Sequence, residues 1–177
     1  SLRIVTTYRH LGVTTGPRGH GGAEVAQRVV VATAARHALG RIILAEKKLP
    51  VRVRLMIARA CILTRHLYVA GTWNALPPAA LRMLEAPWTA TLRRLVCQHR
   101  PPKEGERLAT NTAVRHMCKQ PPLSRMLAVA RMKYFARVVT SGPACLKALI
   151  RSRGGESLRI LLPGDFVALQ SLLAPLL

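Results

Sequence analysis

The chain has 177 residues, half of them hydrophobic, and 28 Lys+Arg against 7 Asp+Glu give it a formal net charge of +21. It is too apolar for a disordered polybasic tail, and it is long enough to bury a core. Aromatics are only 4%, so that core must come from Leu, Val, Ile, Ala and Met, a mix that favours helices over sandwiches and barrels. The acids are Glu24, Glu46, Glu85, Glu104, Glu106, Glu156 and Asp165. Two-metal phosphoryl transfer needs several converging carboxylates, and glycosidases need a pair in a shaped cleft. Only Glu104 and Glu106 are close in sequence, in a stretch that reads as a solvated loop, so neither chemistry has support and no catalytic residue is assigned.

In chain order, residues 2–9 are rich in β-formers, and His10–Val13 either continues that strand or returns along it. Gly16-Pro17 and Gly19–Gly22 make a turn-rich loop. From Ala23 the period becomes helical: Val25, Val29, Ala32, Arg36 and Leu39 form a stripe, weakened at Gly40 and ended before Pro50. A second helix is predicted from Val51 to about Tyr68, with Gly71 as its stop. Pro77-Pro78 opens a third, with Leu81, Leu84, Trp88, Leu92 and Leu95 on one face and a kink expected at Pro87. His99–Glu106 reads as a linker and Leu108–Cys118 as a modest helix. Pro121-Pro122 starts a strong helix with Leu123, Met126, Leu127, Ala130, Tyr134 and Val138 on one side, ended by Ser141-Gly142-Pro143. Helix at Ala144–Ile150, a basic loop at Arg151–Glu156 and a last helix at about Asp165–Leu173 complete the chain.

The predicted fold class is therefore mainly α: a short N-terminal β element and a bundle-like body of about five to seven helices. Three segments are drawn: 1–22, the β element and glycine loop; 23–99, a helical domain; and 100–177, a basic C-terminal helical region.

Cys61, Cys97, Cys118 and Cys145 are widely spread and form no CxxC, so reduced thiols are the expectation. Cys97-x-His99 and His116-x-Cys118 bring together zinc-ligand types, but their one-residue spacers differ from the usual zinc spacings. They are read as coincidence, and no metal site is assigned; whether the four meet in space is left open. Ser1–Gly12 is polar and basic without the apolar run of a secretory signal. No apolar run reaches the roughly 18–20 residues that span a bilayer; Ile160–Leu177 is interrupted by Pro163, Gly164, Asp165 and Gln170. The chain is expected to be intracellular, nuclear or cytoplasmic, and not secreted. Because it starts at Ser1 rather than Met, it is also expected to be a piece of something longer.

Of the 28 basic residues, 22 are Arg, which forks onto phosphate and suits nucleic acid. A GC-rich genome would raise Arg together with Ala, Gly and Pro, but would not remove the acids. Arg52/Arg54/Arg59, Arg93-Arg94 and Arg131/Lys133/Arg137 set positive charge at helical spacing, as binding a nucleic-acid backbone requires. For any one of them a solvated helix face is the competing reading. Tyr68, Trp73, Trp88 and Tyr134 lie on apolar faces and are assigned to core rather than to base stacking.

A run of phrases in order is more informative than any one of them. Tyr8-x-His10-Leu11-Gly12-Val13 precedes a glycine loop, and Glu24-Val25-x-x-Arg28-Val29 then opens a helix. Leu67-Tyr68-x-x-Gly71-Thr72-Trp73, Leu81-Arg82-x-Leu84-Glu85 and Leu92-Arg93-Arg94-Leu95 follow, and Arg131-Met132-Lys133-Tyr134-Phe135-Ala136-Arg137-Val138 comes last. Over about residues 6–150 this resembles the reverse transcriptases of non-LTR (LINE-like) retrotransposons, in the segment just after the catalytic palm. The resemblance implies the end of the palm near the primer grip, then thumb and connection helices. The palm of such enzymes carries a Tyr-x-Asp-Asp turn and an upstream Asp that bind two Mg2+; those residues are absent here, so this chain alone is expected to be inactive and to hold no cofactor. His10 replaces the usual aromatic, Thr72 follows Gly71 where the family differs, and Ala136-Arg137-Val138 replaces Gly-His-Val. These departures mark a diverged or decayed copy.

The implied partners are RNA, DNA or an RNA–DNA hybrid, with the rest of the parent polymerase; no membrane and no small-molecule substrate are expected. The alternative is an independent basic RNA-binding or ribosome-associated helical protein with an accidental motif match. A spurious translation of GC-rich DNA is the third reading, opposed by the regular helical stripes and the placement of Pro and Gly.

Overall fold

The computed structural model describes residues 8–10, 13–15, 22–73, 76–96 and 108–151. The described part is mainly helical. The chain divides into two compact units, each discontinuous in sequence: Ser1–Tyr68 with Pro78–Pro121, and Val69–Pro77 with Pro122–Leu177. The segments drawn from the sequence were contiguous. The glycine loop before Gly22, the 99–106 linker, the 152–156 loop and the helix expected at 165–173 lie outside the described residues.

In the first unit, β1 (Tyr8–His10) and β2 (Val13–Thr15) pair antiparallel, Tyr8 opposite Thr15 and His10 opposite Val13. The second strand thus reaches two residues beyond the predicted element. β2 lies beside α1 (Gly22–Leu39), which also packs along α4 (Pro78–Leu95). The buried face of α1 carries Val25, Ala32 and Ala35, whose small side chains let the helices approach closely. A π-helical turn, Gly40–Leu44, extends α1.

α2 (Val51–Ala58), a second π-helical turn (Arg59–Leu63) and α3 (Thr64–His66) form one continuous run, close to the predicted helix. Its buried positions are Arg54, Ala58, Ile62, Leu63 and His66. α4 runs through Pro87 and buries Leu84, Trp88, Thr91, Leu92 and Leu95, nearly the predicted stripe; Thr91 Oγ1 donates back to the Pro87 carbonyl at 2.8 Å.

α5 (Asn111–Met117) starts at Thr110, whose Oγ1 accepts from Ala113 N at 3.2 Å. It ends with Lys119 at φ +50°, where Lys119 N bonds His116 O and Gln120 N bonds Arg115 O. That pair of bonds closes a helix end through a left-handed residue, usually glycine. A lysine takes that place here, and the helix ends within a residue of the predicted Cys118.

In the second unit, α6 (Leu123–Ser141) packs on a 3-10 turn, Ala70–Thr72, and α7 (Ala144–Arg151) follows Gly142-Pro143. Gly71 was predicted as the stop of the second helix. The chain instead turns at Val69, at φ +59°, and Gly71 serves contact. A Cβ on it would lie 2.7 Å from the Cβ of Tyr134 and 2.9 Å from the Ala130 carbonyl oxygen. No described helix is long and apolar enough to cross a membrane.

Candidate nucleic-acid interface

Several residues of the ordered sequence phrases meet in space. Glu24 and Arg28, four apart on α1, are both buried and form an ion pair at 2.5 Å. The Arg28 guanidinium also lies over the Tyr68 ring, 4.6 Å from its centroid. Glu24 sits in the first turn of its helix, where the unpaired N–H groups favour a carboxylate. Leu84 is fully buried on α4, and its neighbour Glu85 is half-buried. In the second unit, Gly71 touches α6 at Tyr134, and Trp73 is buried. Tyr8 takes part in the β ribbon through its backbone; Leu11 and Gly12 lie outside the described residues.

The predicted backbone-binding cations separate into two groups. Arg52, Arg59, Lys133 and Arg137 are exposed. Lys133 and Arg137 stand one turn apart on α6, and Arg131 on the same helix is half-buried. The other group is engaged with the protein. Arg54 corrects the sequence expectation: it is 4% exposed, and its Nη1 and Nε donate to the Leu44 and Leu49 carbonyls at 2.8 and 3.1 Å. It ties down carbonyls left open where the chain leaves the π-helical turn. Arg93 Nη2 donates to the Ala109 carbonyl and to Asn111 Oδ1, both at 2.8 Å, joining the end of α4 to the start of α5. Arg94 Nε donates to the Gly40 carbonyl at 3.0 Å and joins α4 to the turn that follows α1. Both arginines are half-buried, so their first duty is structural.

Of the aromatic side chains, Trp73 and Trp88 are core and Tyr134 is half-buried, as their apolar faces required. Tyr68 differs: it is 46% exposed, with Arg28 on one side.

Sequence reading passed over His66. Its side chain is fully buried, and neither ring nitrogen makes a hydrogen bond of normal geometry. Burial pushes its pKa down to about 4, and the nearby Leu84 backbone opposes this only in part. The available signal was its place four residues after Ile62 on the buried stripe.

A groove of about 790 Å3 runs along the outer side of α2 and α3, with Leu55, Met56, Leu63 and Leu67 in its lining and Arg52 and Arg59 beside them. It too escaped the sequence reading. As for metals, His116 is exposed and Cys118 buried, with burial raising the Cys118 thiol pKa, while Cys97 and His99 lie outside the described residues. Among the described residues no three His, Cys, Asp or Glu side chains gather into a metal-binding group. Cys61, Cys118 and Cys145 are free thiols. No family model, curated protein or solved structure matches the chain.

Proposed function

We propose that this chain is the part of a non-LTR retrotransposon-type reverse transcriptase that follows the catalytic palm, and that it grips nucleic acid by its backbone. The observation that carries the reading is that phrases far apart in sequence pack on one another. Arg28 of one phrase, paired with Glu24 of the same phrase, lies over Tyr68 of another, and Gly71 of that second phrase abuts Tyr134 of the last. In this reading the β1–β2 ribbon is the end of the palm, and the helices are thumb and connection. The charge of +21 with a single Asp supplies the backbone affinity, and no base-reading motif accompanies it. Catalysis and the two Mg2+ belong to the parent palm.

The test is binding of an RNA–DNA hybrid by fluorescence anisotropy over a range of salt. Each neutralised phosphate adds about 0.9 to the slope of log K against log salt for duplex DNA. Several contacts should give a slope of several units, with little sequence preference. Lys133→Gln with Arg137→Gln should lower the slope by roughly one to two, equally for all sequences. These positions suit the test because both are exposed, whereas changing Arg93 or Arg94 would also break interhelical ties. Salt-insensitive binding, or strong preference for one sequence, would favour the independent RNA-binding reading. Sequence of the coding region upstream of Ser1 is the second test: an in-frame palm with Tyr-x-Asp-Asp is expected.

A further inference from the structure

The groove along α2 and α3 differs from the rest of the basic surface. Its lining residues fall on one side of a continuous helical run, from Arg52 through Leu55, Met56, Arg59 and Leu63 to Leu67. Fifteen residues of helix extend about 22 Å, enough for four turns of a second helix. The opposite side, Arg54, Ala58, Ile62 and His66, already serves the core. Met56 is 64% exposed, one of several large apolar side chains at the surface, and it is the one that lies in this groove. Arg52 and Arg59 are exposed and have no ion pair or side-chain hydrogen bond among the described residues. They stand seven residues apart, so their Cα atoms are separated by about 10 Å along the axis.

We propose that this groove docks an acidic amphipathic helix of another protein. Leu and Met side chains on the floor match apolar anchors at i, i+3, i+4 and i+7, and methionine adapts to such anchors readily. Two exposed arginines two turns apart match carboxylates at the same spacing. The charge pattern excludes a second copy as the occupant, because each copy brings arginines to the other's arginines, and the chain has only 7 acids to answer 28 basic residues. A nucleic-acid strand fits less well. Its phosphates need donors at short intervals and its bases need aromatic platforms, whereas the lining between Arg52 and Arg59 is Leu55 and Met56.

The probe is a fluorescein-labelled peptide with Leu at i, i+3, i+7 and i+10 and Glu residues seven apart, measured by anisotropy against the whole chain. A peptide of the same composition in scrambled order is the control. The designed peptide is expected to bind saturably and the scrambled one at least about tenfold more weakly. Met56→Gln and, separately, Arg59→Glu should each weaken the designed peptide by about tenfold, with unchanged thermal melting because both side chains are exposed. A peptide carrying Lys in place of the facing Glu should recover binding to Arg59→Glu but not to the unaltered chain. No saturable binding, equal binding of the scrambled peptide, or indifference to both variants overturns the proposal. If Met56→Gln weakens the hybrid instead of the peptide, the groove is a nucleic-acid surface. If it abolishes a concentration-dependent dimer in sedimentation, the occupant is a second copy. Either result also overturns the proposal. The hybrid titration with Lys133 and Arg137 changed is read separately, so the two proposals fail independently.

Discussion

A buried ion pair contributes little net stability when whole but costs much when halved, because the remaining charge keeps its desolvation penalty. Glu24 and Arg28 are such a pair, with side chains 3% and 9% exposed. Glu24→Gln is therefore expected to destabilise the fold by about 3 kcal/mol in urea titrations. Pairing it with Arg28→Met should recover much of that loss, which a simple surface bridge would not show. His66 gives the other prediction at this scale. Its folded pKa of about 4 lies below the ordinary 6.5, so the unfolded chain binds the extra proton first. Stability should be unaffected by this group above about pH 6.5 and should fall as pH drops from there to about 4, by on the order of 3 kcal/mol in all. Subtracting the stability profile of His66→Leu from that of the unaltered chain isolates the effect; a flat difference across this window would refute it. Neither Arg54 nor His66 was legible as an interior residue, because an isolated charged or titratable side chain on a helix reads as surface until its partners are known. Arg54 found two carbonyls, and His66 lost its water.

The helices themselves were largely legible. α1, α4 and α6 carry regular apolar stripes or proline starts, and these fix their place within a few residues. The π-helical turns were not legible, although a trace of one is visible in hindsight. Arg54, Ala58, Ile62 and His66 repeat every four residues. On a regular α-helix the twelve residues from Arg54 to His66 would leave them about 120° apart. An i→i+5 turn between them absorbs extra chain per turn and returns His66 towards the core side. The role of Gly71 was also misread, since turn and close contact both call for the same residue. Gly71→Ala is expected to destabilise the second unit by about 1–3 kcal/mol through overlap with Tyr134 and the Ala130 carbonyl. Hydrogen exchange should speed up in α6 while α1 and α4 keep their protection. Equal loosening of both units would refute that assignment.

For the molecule as a whole, the charge was read directly from composition, whereas its distribution was not. The exposed cations that remain after Arg54, Arg93 and Arg94 are committed to the fold include Arg52, Arg59, Lys133 and Arg137, and only the structure separates the two groups. The purified chain is expected to give no primer extension above background with Mg2+ or Mn2+, because one Asp cannot hold two divalent ions for phosphoryl transfer. Extension by this chain would sink the claim. The threading of the chain has a further consequence for how the protein is made. Val69–Pro77 belongs to the second unit, but the chain on both sides of it belongs to the first. During synthesis Gly71 leaves the ribosome sixty-three residues before Tyr134, the side chain it must meet. At about 5–20 residues per second that is a wait of roughly 3–13 s. The first unit's helices are complete before α6 exists, so the turn carrying Gly71 is a docking place that precedes nascent α6 on the chain. A ribosome stalled near residue 121 would display that turn with no helix to close on it.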